Sequence, residues 1–269
     1  PNPGYIGYRP IVEVLDGNPV SIALKEEDNF EYHPELLKRL ITKKTRLIVV
    51  NTPANPTGTV FKRRILEEIA DIAIDRNLMI LSDEAYERLV YDNAKHVSIA
   101  SLNGMEDHVI TTQTFSKTFA MCGFRVGYAV APEDIIKEME EFKLCTTISA
   151  PTFSQLAAVE ALRNSKKYAE KMRREYDRRR KMLVRRLNQI PNITCIKPEG
   201  AFYAFPNVTG LGMSSAKTTD FLVHRAKVVT VPGTEFGKYG EGYLRLSYAT
   251  AYNKIETALD RIEKAVSKI

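Results

Sequence analysis

The sequence predicts an α/β protein with a mostly parallel, doubly wound sheet, followed by a smaller α+β module. Three observations carry this. Short apolar runs rich in β-branched residues (residues 47–50, 79–81 and 109–112) alternate with segments of helical periodicity. These runs are continuous rather than alternating, as expected of parallel strands covered on both faces. From Glu133 the texture changes to long helical segments and then to short strands set between Gly and Pro. The expected division is a large domain over 1–170, which would bind the ligand, and a small C-terminal domain over 171–269.

In chain order, residues 1–10 (PNPGYIGYRP) read as a loop, because Pro and Gly interrupt every local period. Residues 20–24 alternate weakly and read as a strand, and 34–41 as a helix opened by Pro34. The run 47–50 is the next strand and leads straight into the turn Asn55-Pro56-Thr57-Gly58. A helix over 62–76 places Ile65, Ile69, Ile72 and Ala73 on one face. The strand 79–81 then has Ser82-Asp83 at its carboxyl end, and the strand 109–112 runs into Thr114-Phe115-Ser116-Lys117. A further apolar run covers 126–131. Helices follow at 133–143, 153–164 and 167–189, the last broken by Pro191-Asn192. Short strands at 193–196, 201–205, 228–231 and 243–247, with helices near 215–225 and 253–267, complete the chain.

Composition narrows the function. With 269 residues, 44% hydrophobic and 27% charged, the chain can bury a sizeable core and is neither fibrous nor disordered. No apolar run approaches the length of a membrane span, and no signal-peptide pattern opens the sequence. Cys122, Cys145 and Cys195 form no C-x-x-C pair and read as the reduced thiols of a cytoplasmic protein. Four scattered histidines lack metal-ligand spacing, so no metal site is expected. The net charge of +6 is concentrated in 171–186, where nine Lys/Arg stand against two acids. Met172, Tyr176, Leu183 and Leu187 recur there at helical spacing. This is the pattern of an amphipathic helix with a solvated basic face rather than of a nucleic-acid site.

Ligands of doubly wound sheets sit beyond the carboxyl ends of the strands, and Asn55, Asp83 and Lys117 all fall there. A lysine at the end of a buried strand is an unusual placement, since an unpaired buried ammonium is costly. Held in a partly dry pocket it becomes a nucleophile towards carbonyls. Each residue alone has an ordinary alternative: a solvated loop lysine for Lys117, a helix N-cap for Asp83, a surface arginine for Arg125. No dinucleotide fingerprint, P-loop, HExxH or nucleophile elbow is present.

Taken together, Asn51 to Gly58, Ser82-Asp83-Glu84-Ala85-Tyr86-Glu87, Thr114 to Arg125 and Tyr243 to Tyr248 resemble, in order and spacing, the class I/II pyridoxal-phosphate-dependent aminotransferases. The resemblance covers essentially the whole chain and implies the fold of the aspartate aminotransferase-like transferases. It implies that Lys117 holds pyridoxal 5'-phosphate as a Schiff base and then acts as general base. Asp83 would pair with the pyridine nitrogen, and Tyr86 and Asn55 with the cofactor's phenolic oxygen. Arg125, Thr114 and Ser116 would bind the phosphate, and Tyr5 would stack on the ring. Arg245, with Asn55, would bind the substrate carboxylate. The implied reaction moves an amino group from an amino acid, aspartate or aromatic, to a 2-oxo acid such as 2-oxoglutarate. Another reaction on the same fold (C–S lyase or decarboxylase) and a non-catalytic fragment remain alternatives. Family sites lie at a homodimer interface. Family members are longer at the N-terminus, with an arm and a phosphate-cupping turn, so this chain is expected to be a fragment.

Overall fold

The computed structural model describes residues 1–269. Its elements are α1 (Tyr8–Val14), α2 (Pro34–Leu40), β1 (Leu47–Asn51), α3 (Arg63–Arg76), β2 (Met79–Asp83), β3 (Val109–Thr114), α4 (Phe115–Thr118), β4 (Gly127–Val130), α5 (Glu133–Thr146), α6 (Thr152–Asn164), α7 (Lys166–Leu187), β5 (Tyr203–Ala204), α8 (Ser215–Phe221), β6 (Val231–Pro232), β7 (Leu244–Ser247) and α9 (Tyr252–Val266). The residues group into two compact units. A sheet unit holds Pro34–Pro53 and Phe61–Arg173, and a second unit holds Pro1–His33, Ala54–Val60 and Arg174–Ile269.

The sheet unit has the strand order β1-β2-β3-β4. β1, β2 and β3 run parallel, with Asn51 opposite Asp83 and Asp83 opposite Thr112. β4 pairs antiparallel with β3. The apolar runs become strands because both faces are covered: Val50 and Ile80 are fully buried, as are Leu66, Ile69 and Ala73 of α3. α3 stops where Asn77 adopts a left-handed conformation (φ 49°) and returns its N–H to Ala73, a standard way to satisfy the last carbonyls. β2 and β3 each extend two residues past the expected strand, so Asp83 and Thr114 lie within the ladder's end.

The second unit is built on a three-stranded antiparallel sheet of order β5-β7-β6. Ile255, Leu259, Ile262 and Val266 of α9 and Met182, Leu183 and Leu187 of α7 supply its core. Four expectations are corrected here. The strand at 20–24 is only a parallel bridge between Ala23 and Asn2, and the one at 193–196 is only a bridge between Thr194 and Asn207. A strand needs a partner of matching length, which its own sequence cannot supply. The loop over 1–10 gives way to α1 at Tyr8. Finally, the basic face of α7 is not all solvated. Arg180 is completely buried, donating to the Pro198 carbonyl at 2.6 Å and to Asp177. Arg178 and Arg179 share Glu175, whose carboxyl these hydrogen bonds hold well below its usual range, at about 2.

The turn after β1 is clamped within the second unit. Gly58 sits at φ +72° and its carbonyl accepts the N–H groups of Glu199 and Gly200. A Cβ there would collide with the Cβ of Pro198 and crowd the Gly200 carbonyl. Gly58→Ala is therefore expected to destabilise the protein by about 2 kcal/mol or more, from left-handed strain plus overpacking. Calorimetry would read this as a melting point several degrees lower, at about 2–4 °C per kcal/mol for this chain length.

Candidate active site

In the sheet unit the site begins at the carboxyl end of β3. Thr114 caps the short α4, its hydroxyl accepting the Ser116 N–H at 3.1 Å. This sets the turn on which Ser116 and Lys117 sit, both half-buried. The turn is closed by backbone bonds, Phe115 N–H to Val126 carbonyl and Met121 N–H to Phe115 carbonyl, each at 3.2 Å. Beneath it Phe115, Met121, Val126 and Ala158 form a small apolar cluster. Apolar burial on one side thus holds the backbone of Lys117 at the strand end. Arg125 ends the loop in a left-handed conformation (φ 52°) and its Nη1 donates to the Cys122 carbonyl at 2.9 Å. A non-glycine residue in that region is strained, and the 115–126 loop maintains it.

β2 ends beside β3, and Asp83 lies at that end. Its Oδ1 accepts the Ala85 N–H at 3.2 Å. No helix follows; residues 85–88 form a turn. The N-cap alternative therefore fails, although the local turn bond is of the kind an N-cap makes. Tyr86 is buried in this turn. Glu84 follows directly after β2. Sequence reasoning assigned Glu84 no role, yet it is 2% exposed and ringed by donors. Ser82 and Ser98 hydroxyls donate to Oε1 at 2.9 and 2.6 Å, and His96 Nε2 and Gln113 Nε2 donate to Oε2 at 3.0 and 3.3 Å. Burial alone pushes this carboxyl up. The bonds from His96, Ser98 and Ser82 outweigh it, and the net shift is downward.

The ionised form is thus favoured in the folded protein. Its stabilisation is complete above the ordinary carboxylate range and is lost as pH falls through the lowered pKa. Glu84→Gln turns part of an acceptor into a donor facing donors. It is expected to cost about 2–3 kcal/mol at neutral pH, or roughly 5–10 °C in melting temperature. The gap between variant and parent should narrow in acid, and melting curves across pH check both.

The second unit carries the remaining expected residues. Arg245 lies on the central strand β7 and is half-buried. Its Nη1 donates to Oδ1 of Asn55 at 3.2 Å, and Asn55 is 5% exposed. Its Cζ lies 4.6 Å from the centroid of the Tyr203 ring and 4.8 Å from that of Phe236. Arg245 is thus packed between two rings and an amide rather than standing as a solvent-facing strand residue. Tyr5 is 44% exposed and meets Tyr8 edge-on at 5.3 Å. The structure therefore sets Asp83, Tyr86, Thr114, Ser116, Lys117 and Arg125 on adjacent strand ends of one unit, and pairs Asn55 with Arg245 in the other. Tyr203 lies in the segment expected as a strand over 201–205 and Phe236 in a Pro/Gly stretch given no element, and no local signal ties either ring to Arg245.

Residues 1–262 match the family described as aminotransferase class I and II. The chain is similar to the aspartate aminotransferase of Pyrococcus abyssi, 47% identical over 268 residues that span 99% of this chain and 69% of that protein. It is equally similar to aromatic-amino-acid aminotransferase 2 of Thermococcus litoralis, at 47% over 270 residues, all of this chain and 69% of that protein. Among solved structures, the aromatic aminotransferase from Pyrococcus horikoshii superposes with a TM-score of 0.98 at 46% identity, over 100% of this chain and 72% of that one.

Proposed function

Because the chain belongs to the class I and II aminotransferases, we propose that this aminotransferase uses pyridoxal 5'-phosphate held on Lys117. The observation that carries the reading is the register of the parallel strands. It sets Asp83 opposite Thr112, so the acid and the lysine leave neighbouring strands at the same end. The donor set fits the cofactor group for group. An amine (Lys117) suits its aldehyde, a carboxylate (Asp83) its pyridinium, and a phenol (Tyr86) with an amide (Asn55) its phenolic oxygen. A guanidinium (Arg125) with the hydroxyls of Thr114 and Ser116 suits its phosphate. Tyr5 remains the proposed stacking ring, supported by the resemblance alone.

When bound, the cofactor supplies an electron sink for the carbanion left at Cα. The chain's own residues do the rest. Nζ of Lys117, freed when the substrate amine takes its place, would take the Cα proton of the amino acid and pass it on rather than give it back to Cα, as amino-group transfer requires. Asp83 holds the pyridinium proton in place, since a carboxylate favours the charged ring. Arg245 orients the substrate by forking its carboxylate, and Asn55 orients Arg245. Aspartate or an aromatic amino acid is the proposed donor and 2-oxoglutarate a proposed acceptor, on the strength of the relatives' names.

A homodimer is proposed as well. α5 has no buried residue although it carries Met139, Phe142 and Leu144, and α6 exposes Phe153, Leu156 and Leu162. Apolar surface of that extent is normally covered. The division into domains over 1–170 and 171–269 and a cytoplasmic location are further proposals. The second is supported by three free cysteines; no helix is long and apolar enough to cross a membrane.

The test is to add pyridoxal phosphate to the protein, record its visible spectrum, and map the peptide labelled after borohydride reduction. Glutamate formation from 2-oxoglutarate with aspartate or phenylalanine is measured in parallel. A yellow protein labelled on Lys117 that forms glutamate is the expected result. A colourless protein, or a label elsewhere, sinks the assignment of Lys117.

A further inference from the structure

We propose that Tyr203 and Phe236 are positioning residues for the substrate carboxylate, acting through Arg245. This rests on the reading of Arg245 as the carboxylate fork. The guanidinium is held at three points: over the Tyr203 ring, over the Phe236 ring, and by the bond from Nη1 to Asn55. An arginine side chain is long and rotamer-rich, and a free one would have to be ordered when the substrate binds. Here the ordering is done by the fold. The two rings also take up solvent positions around the cation, so that its remaining N–H groups meet an anion in drier surroundings.

The strand register explains why these rings arrive. Tyr203 stands opposite Ser247 in the antiparallel pair of β5 and β7. Arg245, two residues from Ser247, is therefore its diagonal neighbour on the same face, within reach of an aromatic side chain. On the other side Val231 of β6 stands opposite Arg245. The chain then leaves β6 in a single tight turn, Gly233–Phe236, which delivers the second ring. That turn is itself fixed. Gly233 and Gly240 approach so closely that a Cβ on either would overlap the other's backbone. Phe236 also packs edge-on against Phe205 at 6.3 Å, and Phe205 stacks on Tyr243 at 5.0 Å. Tyr203 and Phe236 are 7% and 5% exposed, so both rings are set by packing before any ligand is present. The guanidinium thus inherits the rigidity of an aromatic wall.

The experiment uses the full chain supplied with cofactor and two unreactive carboxylates, succinate and 3-phenylpropionate, as competitors. Tyr203→Met and Phe236→Met remove the rings while keeping most of the buried volume. Each is expected to weaken competitor binding and raise the amino-acid KM by about five- to thirtyfold, the size of one partly desolvated cation–π contact. The kcat at saturation and the cofactor absorbance should stay within about twofold, the pattern of lost ground-state positioning. Tyr203→Phe, which retains the ring, should behave like the parent. Arg245→Leu run alongside separates the two layers of the argument. If it leaves competitor binding unchanged, the carboxylate reading itself is overturned. If it abolishes competitor binding while both ring variants bind normally, only the positioning role is overturned. Equal losses in kcat and affinity in the ring variants, or a Tyr203→Phe as impaired as Tyr203→Met, would show a merely structural role and also overturn it. The two rings are tested separately, so one misfolded variant leaves the other to decide.

Discussion

Replacing Lys117 with alanine is expected to lower turnover by at least about a thousandfold, because covalent attachment and general-base transfer are lost together. The fold should survive. The turn that carries Lys117 is held by the buried Phe115 and Thr118, by the Thr114 cap, and by the backbone bonds that close 115–126. None of these is removed with the lysine side chain. The variant should therefore melt within a few degrees of the parent, and borohydride should leave no label in the peptide spanning residue 117. Near-normal kcat with an unchanged spectrum would remove Lys117 from the chemistry altogether.

Arg245→Leu is expected to act on a different quantity. A bidentate, charge-assisted contact is worth about 3 kcal/mol, so KM for the amino acid and the inhibition constant of a carboxylate should rise about a hundredfold. Cofactor affinity should hardly change, since the proposed phosphate, pyridine and aldehyde partners lie on other side chains. Arg245→Lys should recover little of the loss: an ammonium offers neither the planar fork nor a flat face for the Tyr203 and Phe236 rings. Titrating cofactor and carboxylate separately gives the comparison. Matching losses on both would count against a role confined to the substrate.

Much of this site was legible in the residues, for a reason that differs from one residue to the next. Lys117, Asp83 and Asn55 stand out because strand periodicity places them at carboxyl ends, where hydrophobic runs stop and polar groups begin. Arg125 and Tyr86 gained meaning only by their spacing from those three. Glu84 was hidden by its neighbour. Nothing next to Asp83 in sequence marks Glu84 as buried; Ser98 and His96, which fold back over it, lie 14 and 12 residues away. Arg180 was misjudged similarly, since helical periodicity says which face a residue occupies but not that Pro198 will cover it.

Local chemistry was enough to place the α/β alternation, most helices to within a few residues, and the chemical groups the site would need. These follow from periods of two and 3.6 and from turn residues, all properties of neighbours in sequence. Tertiary structure alone decided which strands found partners, that the Asn55 turn groups with the C-terminal residues, and that two rings lie against Arg245. Each of these rests on contacts between segments far apart in the chain, such as the 190 residues that separate Asn55 from Arg245. Pairing across such a distance is set by shape and packing of the whole unit, and no stretch of sequence records it locally.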